Sequence, residues 1–393
     1  MNPAAHTIRL SHAAPARVLA CGAYLKNRAC LVDGDRVHWS AVHGDLGDAE
    51  NRTALLQSVE ALCAAARGPL QAVAHDLHPD FFSTHVALEL ARQHGVPAIA
   101  VQHHHAHAAV VVADQGLQHA CIGITLDGMG LGTDGRAWGA ELLWVGGAQA
   151  VSQWRRLEAL APLALAGGDM AAREPWRLAA AVLHGLGRGD EIVPVFGTRV
   201  GNRTAETVRS MLAQGLHCPL ASSAGRWFDA AAGALGLCLR QQDEAAAAMA
   251  LEAAAWDSLA DGLDTASLPV PVSLDLAPLV AQLLGLRDQG SAAIGRGAVW
   301  FHQALAGGLA LAARRHAQSE ACDQVVLAGG CMANRLLVRL LRQELQDAGM
   351  QVFTAQAASC GDAGLALGQA WVAAWTVAGQ DNASRSQALA LEY

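Results

Sequence analysis

Four histidines crowd the segment Val101-Gln-His-His-His-Ala-His107. The segment follows an apolar strand and opens a helical pattern, so His103 and His107 stand at i and i+4. That spacing sets both rings on one helical face with Cβ atoms about 5–6 Å apart. Two imidazoles so placed can share one metal ion. H-x-x-x-H also arises by chance, so the pair needs further ligands, and carboxylates are the natural complement for a catalytic Fe or Zn centre. Two candidates lie far off in sequence. Asp127 stands in a hairpin turn, Leu126-Asp-Gly-Met-Gly-Leu-Gly-Thr-Asp-Gly135, and Asp362 stands in Ser-Cys-Gly-Asp-Ala-Gly at the start of the last helical stretch. Each taken alone reads as a cap or turn residue, Asp362 above all, because it precedes a helix.

A second signal is the buried strand Val325-Val-Leu-Ala328 running into Gly329-Gly330-Cys-Met-Ala-Asn334-Arg335 and then LLVRLLRQEL. Glycines between strand and helix let the backbone approach a flat or phosphorylated ligand. Nucleotide binding is the functional reading, and an ordinary α/β turn is the plain one. No Walker sequence G-x-x-x-x-G-K-[ST] occurs. In the Asp127 turn, glycine at every second position (Gly128, Gly130, Gly132) would leave N–H groups to line an anion, with Asp127 or Asp134 holding a cation. A tight turn explains the same residues. Lys26, in the corresponding turn of an earlier hairpin, would add a positive charge for a phosphate. Ser222-Ser-Ala-Gly-Arg226-Trp-Phe-Asp229 and Arg173-Glu-Pro-Trp-Arg177 read as loops before helices, with Ser caps and a first-turn Pro.

The elements that must carry these residues follow a repeated plan. Arg17 to Val37 and Ala120 to Val145 are each an apolar strand, a Gly-containing turn and a second apolar strand, as two related lobes would open. Helical spacing over Asn51 to Arg67 and Ser83 to His94 alternates with strands AVAHD and Pro97 to Val101, which implies a parallel or mixed sheet covered by helices. Asp169 to Trp256 is helical in pattern, broken at Gly185, Gly187, Gly201 and Pro219. The pattern loosens from Leu259 to Gly297 around Pro269 and Pro271. A long helix from Ala298 to His316 then precedes the strand Gln324 to Leu327.

Composition bounds the class. The 393 residues are 52% hydrophobic and 16% charged, with 40 glycines, which suits a full α/β core. A formal net charge of −8 argues against an obligatory nucleic-acid partner. Nine scattered cysteines without a C-x-x-C pair read as reduced, buried thiols in a cytoplasm. The N-terminus lacks a basic start followed by an apolar block, so export is not expected. The most apolar stretch, Ala363 to Gly379, falls short of the roughly 20 residues needed to span a bilayer and contains Gln369, so it reads as a buried helix rather than a membrane span.

The ordered set ACGAYLKNRACL, HDLHPDFFST, VQHHHAHAA, LDGMGLGTDGRAWGAE, GGDMAAREPWRLA, SSAGRWFDA and LAGGCMANRLL resembles the C-terminal carbamoyltransferase module of the hydrogenase-maturation HypF family, from about Val18 to Ala374. That module is similar to the tRNA threonylcarbamoyl-transfer enzymes. The resemblance implies a two-lobed actin-like ATPase (ASKHA) fold with duplicated mixed sheets: residues 1–118 with a C-terminal helix 362–393, and residues 119–361 with the helical insertion 169–256. It implies His103, His107, Asp127 and Asp362 as ligands of a divalent metal, Fe or Zn. Gly329, Gly330 and Asn334 would meet adenosine, Lys26 and the turn with Gly128, Gly130 and Gly132 would face phosphate, and Arg226 and Asp229 would line the site. The implied reaction moves a carbamoyl group from carbamoyl-adenylate, made from ATP and carbamoyl phosphate, to the C-terminal cysteine of HypE, releasing AMP. Full-length members carry upstream domains for which there is no room before residue 17, so a stand-alone module is expected. Where the family tends to have Tyr-Glu-Gly-Gln, this chain reads Asp243-Glu-Ala-Ala246, and Cys-Gly precedes Asp362 where Pro and Asn are usual. A tRNA-modifying transferase, a small-molecule kinase of the same architecture and a catalytically silent HypE-binding module are the rival readings.

Overall fold

The computed structural model describes residues 6–269 and 272–390; Pro271, named above as a break, lies outside them. The first half of the chain runs β1 (His6–Arg9), β2 (Val18–Ala20), β3 (Cys30–Asp33), β4 (Arg36–Trp39), α1 (Ala49–Ala65), β5 (Ala72–Asp76), α2 (Phe82–His94), β6 (Ala98–Val101) and α3 (His103–Gln115). The second half opens with β7 (Cys121–Leu131), β8 (Ala137–Val145), β9 (Trp154–Ala159) and β10 (Leu163–Ala164). A mostly helical stretch follows: α4 (Asp169–Arg173), α5 (Trp176–Gly185), α6 (Ile192–Val200), α7 (Asn202–Gln214), β11 (Leu220–Ser223), α8 (Ala224–Leu235) and α9 (Ala246–Ala260). The chain then runs α10 (Ala277–Leu283), α11 (Ser291–Ser319), β12 (Gln324–Ala328), α12 (Arg335–Asp347), β13 (Gln351–Thr354) and α13 (Asp362–Ala390).

The strands form two sheets, β1-β4-β3-β2-β5-β6 and β10-β11-β8-β7-β12-β13, with β9 also on β8. Within them β3-β2-β5-β6 and β8-β7-β12-β13 repeat one pattern: an antiparallel hairpin whose first strand pairs in parallel with a third, which pairs in parallel with a fourth. Each fourth strand leads into a helix, α3 or α13. This is the duplicated, two-lobed actin-like ATPase fold.

Those two helices lie together between the sheets. One apolar cluster joins Ala106, Ala109 and Val110 of α3 and Ala370 and Trp371 of α13 to Val18 and Ala74 of the first sheet and Leu143 and Val326 of the second. Every residue from His103 to Ala113 is buried, as expected of a helix without a solvent face. The helices touch where a Cβ on Gly368 would lie 1.9 Å from the Ala106 carbonyl oxygen, so a side chain there would part them. The polar residue in the apolar stretch is accounted for: Gln369 Oε1, fully buried, accepts from the Gly22 N–H at 3.0 Å and ties α13 to the β2–β3 turn. Among the described residues no helix is long and apolar enough to cross a membrane.

Three expectations are corrected. The long helix α11 begins at Ser291, seven residues before Ala298, because Gly295 and Gly297 are contact points rather than breaks; a Cβ there would lie 2.8 Å from Ser258 and from Leu235 respectively. The helical insertion is interrupted by β11, which pairs in parallel with Ala137 to Gly139 of β8. Asp127 sits not in a turn but inside β7, at a shift in the β7–β8 register between Leu126 and Gly130.

Candidate functional site

The site lies where the N-termini of α3 and α13 meet the irregular stretch of β7. Gln102 caps α3, its side chain accepting from the His105 N–H, so the helix starts at His103. The one-turn offset brings the rings of His103 and His107 to 4.8 Å between centroids at 79°. Asp127 enters from β7, and Asp362 from the first residue of α13. His103 Nε2 lies 3.4 Å from Asp127 Oδ2 and 3.6 Å from Asp362 Oδ1, and His107 Nε2 lies 2.8 and 3.4 Å from the same atoms. One ligand atom from each of the four residues falls within 4.8 Å of all the others.

This set fits a divalent metal. Donors held ~2.1 Å from one ion at tetrahedral angles stand ~3.4 Å apart, close to the separations here. His107 Nε2 is buried and lies 2.8 Å from Asp127 Oδ2, out of line for a good hydrogen bond. Burial disfavours charge on every member, yet Asp76, Asp127 and Asp362 hold His103 protonated well above the usual imidazole range. Asp127 and Asp362 raise His107 likewise. The imidazoles in turn hold Asp127 and Asp362 below the usual carboxylate range against their burial. Two carboxylates and two imidazoles suit Fe or Zn alike.

The other residues divide. Gly330 adjoins the four: its Cβ would lie 3.1 Å from Asp127 Oδ1, and Gly329, at φ +97°, presses on Leu126, where a Cβ would be 2.3 Å from the carbonyl oxygen. Lys26 stands at φ +46° in the β2–β3 turn, with Nζ 2.9 Å from Glu244. Partial burial works against its charge, but Glu244, Asp362 and Asp127 raise its pKa, so the ammonium feels the donor set. Arg226 pairs with Asp229 at 2.8 Å in the first turns of α8, and burial still pushes Asp229 up to about 6.

The row of free N–H groups expected beside Asp127 is not there. The Gly128 N–H donates to Asp127 Oδ1 and the Gly132 N–H to the Arg136 carbonyl. Gly130 makes room for the His103 ring and Gly132 for the Trp138 indole, while Gly128 alone faces open space. Gly130-Leu-Gly-Thr-Asp-Gly135 spells G-x-G-x-x-G, but within a β-hairpin rather than between strand and helix, so it is no dinucleotide fingerprint. Asn334 caps α12, its Oδ1 accepting from the Leu337 N–H, and its amide donates to His302 Nε2. Burial raises all nine thiols, leaving no activated cysteine. Sequence reasoning missed Asp76, whose Oδ2 lies 2.8 Å from His103 Nδ1.

Comparison with known proteins identifies the family. Residues 13–114 match the family described as the HypF Kae1-like domain, and residues 123–369 that described as the carbamoyltransferase Kae1-like domain, second subdomain. A Cupriavidus necator protein named carbamoyltransferase HypF homolog is 54% identical over 91% of this chain and 92% of its own length. Carbamoyltransferase HypF2 of the same organism is 44% identical over 93% of this chain but only 47% of its length. The crystal structure of T. kodakarensis HypF superposes with a TM-score of 0.83 at 29% identity, over 95% of this chain and 49% of that one. Full-length HypF in a phosphate- and nucleotide-bound form gives 0.80 at 27%, over 94% and 47%. The chain thus spans nearly all of one relative and about half the length of the others. By domain match, sequence and fold together, it belongs to the HypF carbamoyltransferase family, within which it corresponds to the C-terminal Kae1-like module.

Proposed function

We propose that this chain transfers a carbamoyl group from carbamoyl-adenylate to the C-terminal cysteine thiol of a HypE-like protein, towards the cyanide ligands of [NiFe]-hydrogenases. The carrying observation is the convergence of His103, His107, Asp127 and Asp362 beside the Gly329-Gly330 turn. The lobes are read as 1–118 with the helix from 362, and 119–361, with the adenylate between them. The Gly329-Gly330 turn, packed close on Leu126 and Asp127, would meet the adenosine part of the nucleotide, and Asn334 fixes the helix that follows by capping it. Lys26 faces the phosphate once released from Glu244. Arg226 and Asp229 are assigned to the same site as a buried ion pair in the first turns of α8.

His103, His107, Asp127 and Asp362 would hold a divalent ion, which would supply Lewis-acid stabilisation of charge developing on oxygen, an effect of several kcal/mol. The partner's thiolate forms the C–S bond as the bond from the carbamoyl carbon to the phosphate oxygen breaks and AMP leaves. The chain supplies no nucleophile of its own, in keeping with its raised thiols. ATP and carbamoyl phosphate stand upstream as the sources of the adenylate. Net charge of −8 counts against a tRNA acceptor.

Mass spectrometry of the HypE-like partner tests this. The chain is incubated with ATP and carbamoyl phosphate, with and without a separate adenylate-forming domain. A carbamoylated terminal cysteine is expected in at least one mixture, and its loss in His103→Ala and His107→Ala. An unmodified cysteine in both mixtures removes the transferase reading.

A further inference from the structure

The two imidazoles of the donor set are not held alike. Asp76 ends β5 and is 1% exposed. Its Oδ2 lies 2.8 Å from His103 Nδ1, and its Oδ1 accepts from the His78 N–H at 3.0 Å. His107 Nδ1 is as deeply buried and makes no hydrogen bond. The difference comes from topology: parallel pairing sets Asp76 level with Val101 at the carboxyl ends of β5 and β6, two residues before His103. One turn further along α3, His107 has left that strand end behind.

We infer that Asp76 is a positioning residue for the metal centre, holding His103 in the tautomer that leaves Nε2 free to ligate; the inference rests on the donor-set reading above. A neutral imidazole carries one N–H, and the nitrogen that carries it cannot bind a metal. Asp76 Oδ2 accepts from Nδ1 over 2.8 Å, which places the ring's one N–H on that nitrogen. Once the ring gives up its second proton to a metal, the lone pair is on Nε2, the atom nearest Asp127 and Asp362, and the ring cannot turn about its Cβ–Cγ bond without breaking the contact to Asp76. The bond to His78 fixes the carboxylate in its turn, so the chain of restraint runs from the β5 end to the donor atom. Such outer partners set ligand basicity as well as orientation. A purely structural Asp76, pinning the end of β5, would affect unfolding but not the metal.

The test is a Co2+ titration followed by electronic absorption in the wild-type chain, Asp76→Asn and Asp76→Glu, with thermal unfolding of each metal-free protein beside it. Asp76→Asn is expected to bind Co2+ roughly 10–100-fold more weakly with altered ligand-field bands. Asp76→Glu should recover part of the affinity. In a His103→Ala background, Asp76→Asn should change nothing further. Unaltered affinity and bands in Asp76→Asn overturn the inference, whatever happens to its melting temperature. Should that variant not fold, nitrogen-15 NMR of the histidine side chains in the zinc-loaded wild-type chain decides: a proton on His103 Nδ1 is expected, and one on Nε2 overturns it. A wild-type chain that takes up no Co2+ removes the donor set itself, and this inference with it.

Discussion

His107 Nε2 and Asp127 Oδ2 stand 2.8 Å apart in the interior and are not hydrogen-bonded to each other. This is the spacing that two ligands of one ion would take, and with His103 and Asp362 they make up the candidate donor set. Asp127→Asn and Asp362→Asn should therefore each lower bound Fe or Zn by more than the roughly 10–100-fold that loss of an outer-shell partner costs. Elemental analysis after dialysis against limiting chelator reads this, and wild-type metal content in either variant counts against that carboxylate as a ligand.

Gly130 bears on the candidate donor set through His103. A Cβ at this position would lie 2.9 Å from each of Cβ, Cγ and Cδ2 of that histidine, closer than real contacts allow. Gly130→Ala should displace the ring and weaken metal binding at least about tenfold, in line with a misplaced ligand. Gly128→Ala, with nothing within 4 Å of the added carbon, is the matched control and should bind metal normally. Equal affinities in the two variants would show that His103 yields without cost.

How much of this was legible in the sequence depends on how local each signal is. The His103–His107 pair was, because helical spacing alone puts both rings on one face, and so were the paired hairpins, whose strands are neighbours in the chain. Asp127 and Asp362 could be named only as candidate carboxylates, each reading alone as a cap or turn residue, and the family resemblance joined them to the pair, since nothing near either in sequence marks it out. Asp76 was missed because its partner is set by the parallel pairing of β5 with β6. The stretch with Gly128, Gly130 and Gly132 read as a turn, yet Gly130 and Leu131 keep their pairing with Trp138 and Ala137 across the register shift. β11 is only four residues long, and its pairing with β8 is non-local. The start of α11 was placed at Ala298 rather than Ser291 because what keeps Gly295 and Gly297 helical, close packing against Ser258 and Leu235, is tertiary.

Ala245 takes φ +63°, the left-handed region, at the head of α9, in the stretch where the family tends to have glycine. A Cβ there costs about 1 kcal/mol or slightly more. Ala245→Gly removes that strain but gives the unfolded chain more freedom, so the net gain should be about 1 kcal/mol or less. In a chain this long, that is roughly 1–2 °C in Tm. Differential scanning fluorimetry checks the sign, and a lower Tm would mean that the left-handed turn is not populated in solution.

Buried histidines of two kinds should give the metal-free protein a stability maximum near neutral pH. His43 donates from Nδ1 to Asn27 and accepts at Nε2 from Ser58. His302 donates to the Ala298 carbonyl and accepts from the Asn334 amide. Both are complete as neutral rings, and burial lowers both to about 4. Between the unfolded value of about 6.5 and that figure only the unfolded chain takes up these protons, so stability falls as pH drops through this window. His103 and His107 work the other way, because their folded pKa values are raised. Their contribution is whole below about 6.5 and fades as pH rises through the folded values. A bound metal requires both rings unprotonated, so Zn2+ should remove the decline on the alkaline side and leave the acid side intact. Urea unfolding from pH 4 to 9, with and without Zn2+, reads both limbs; a metal-free protein whose stability does not change between pH 4 and 6.5 would contradict the neutral state of His43 and His302.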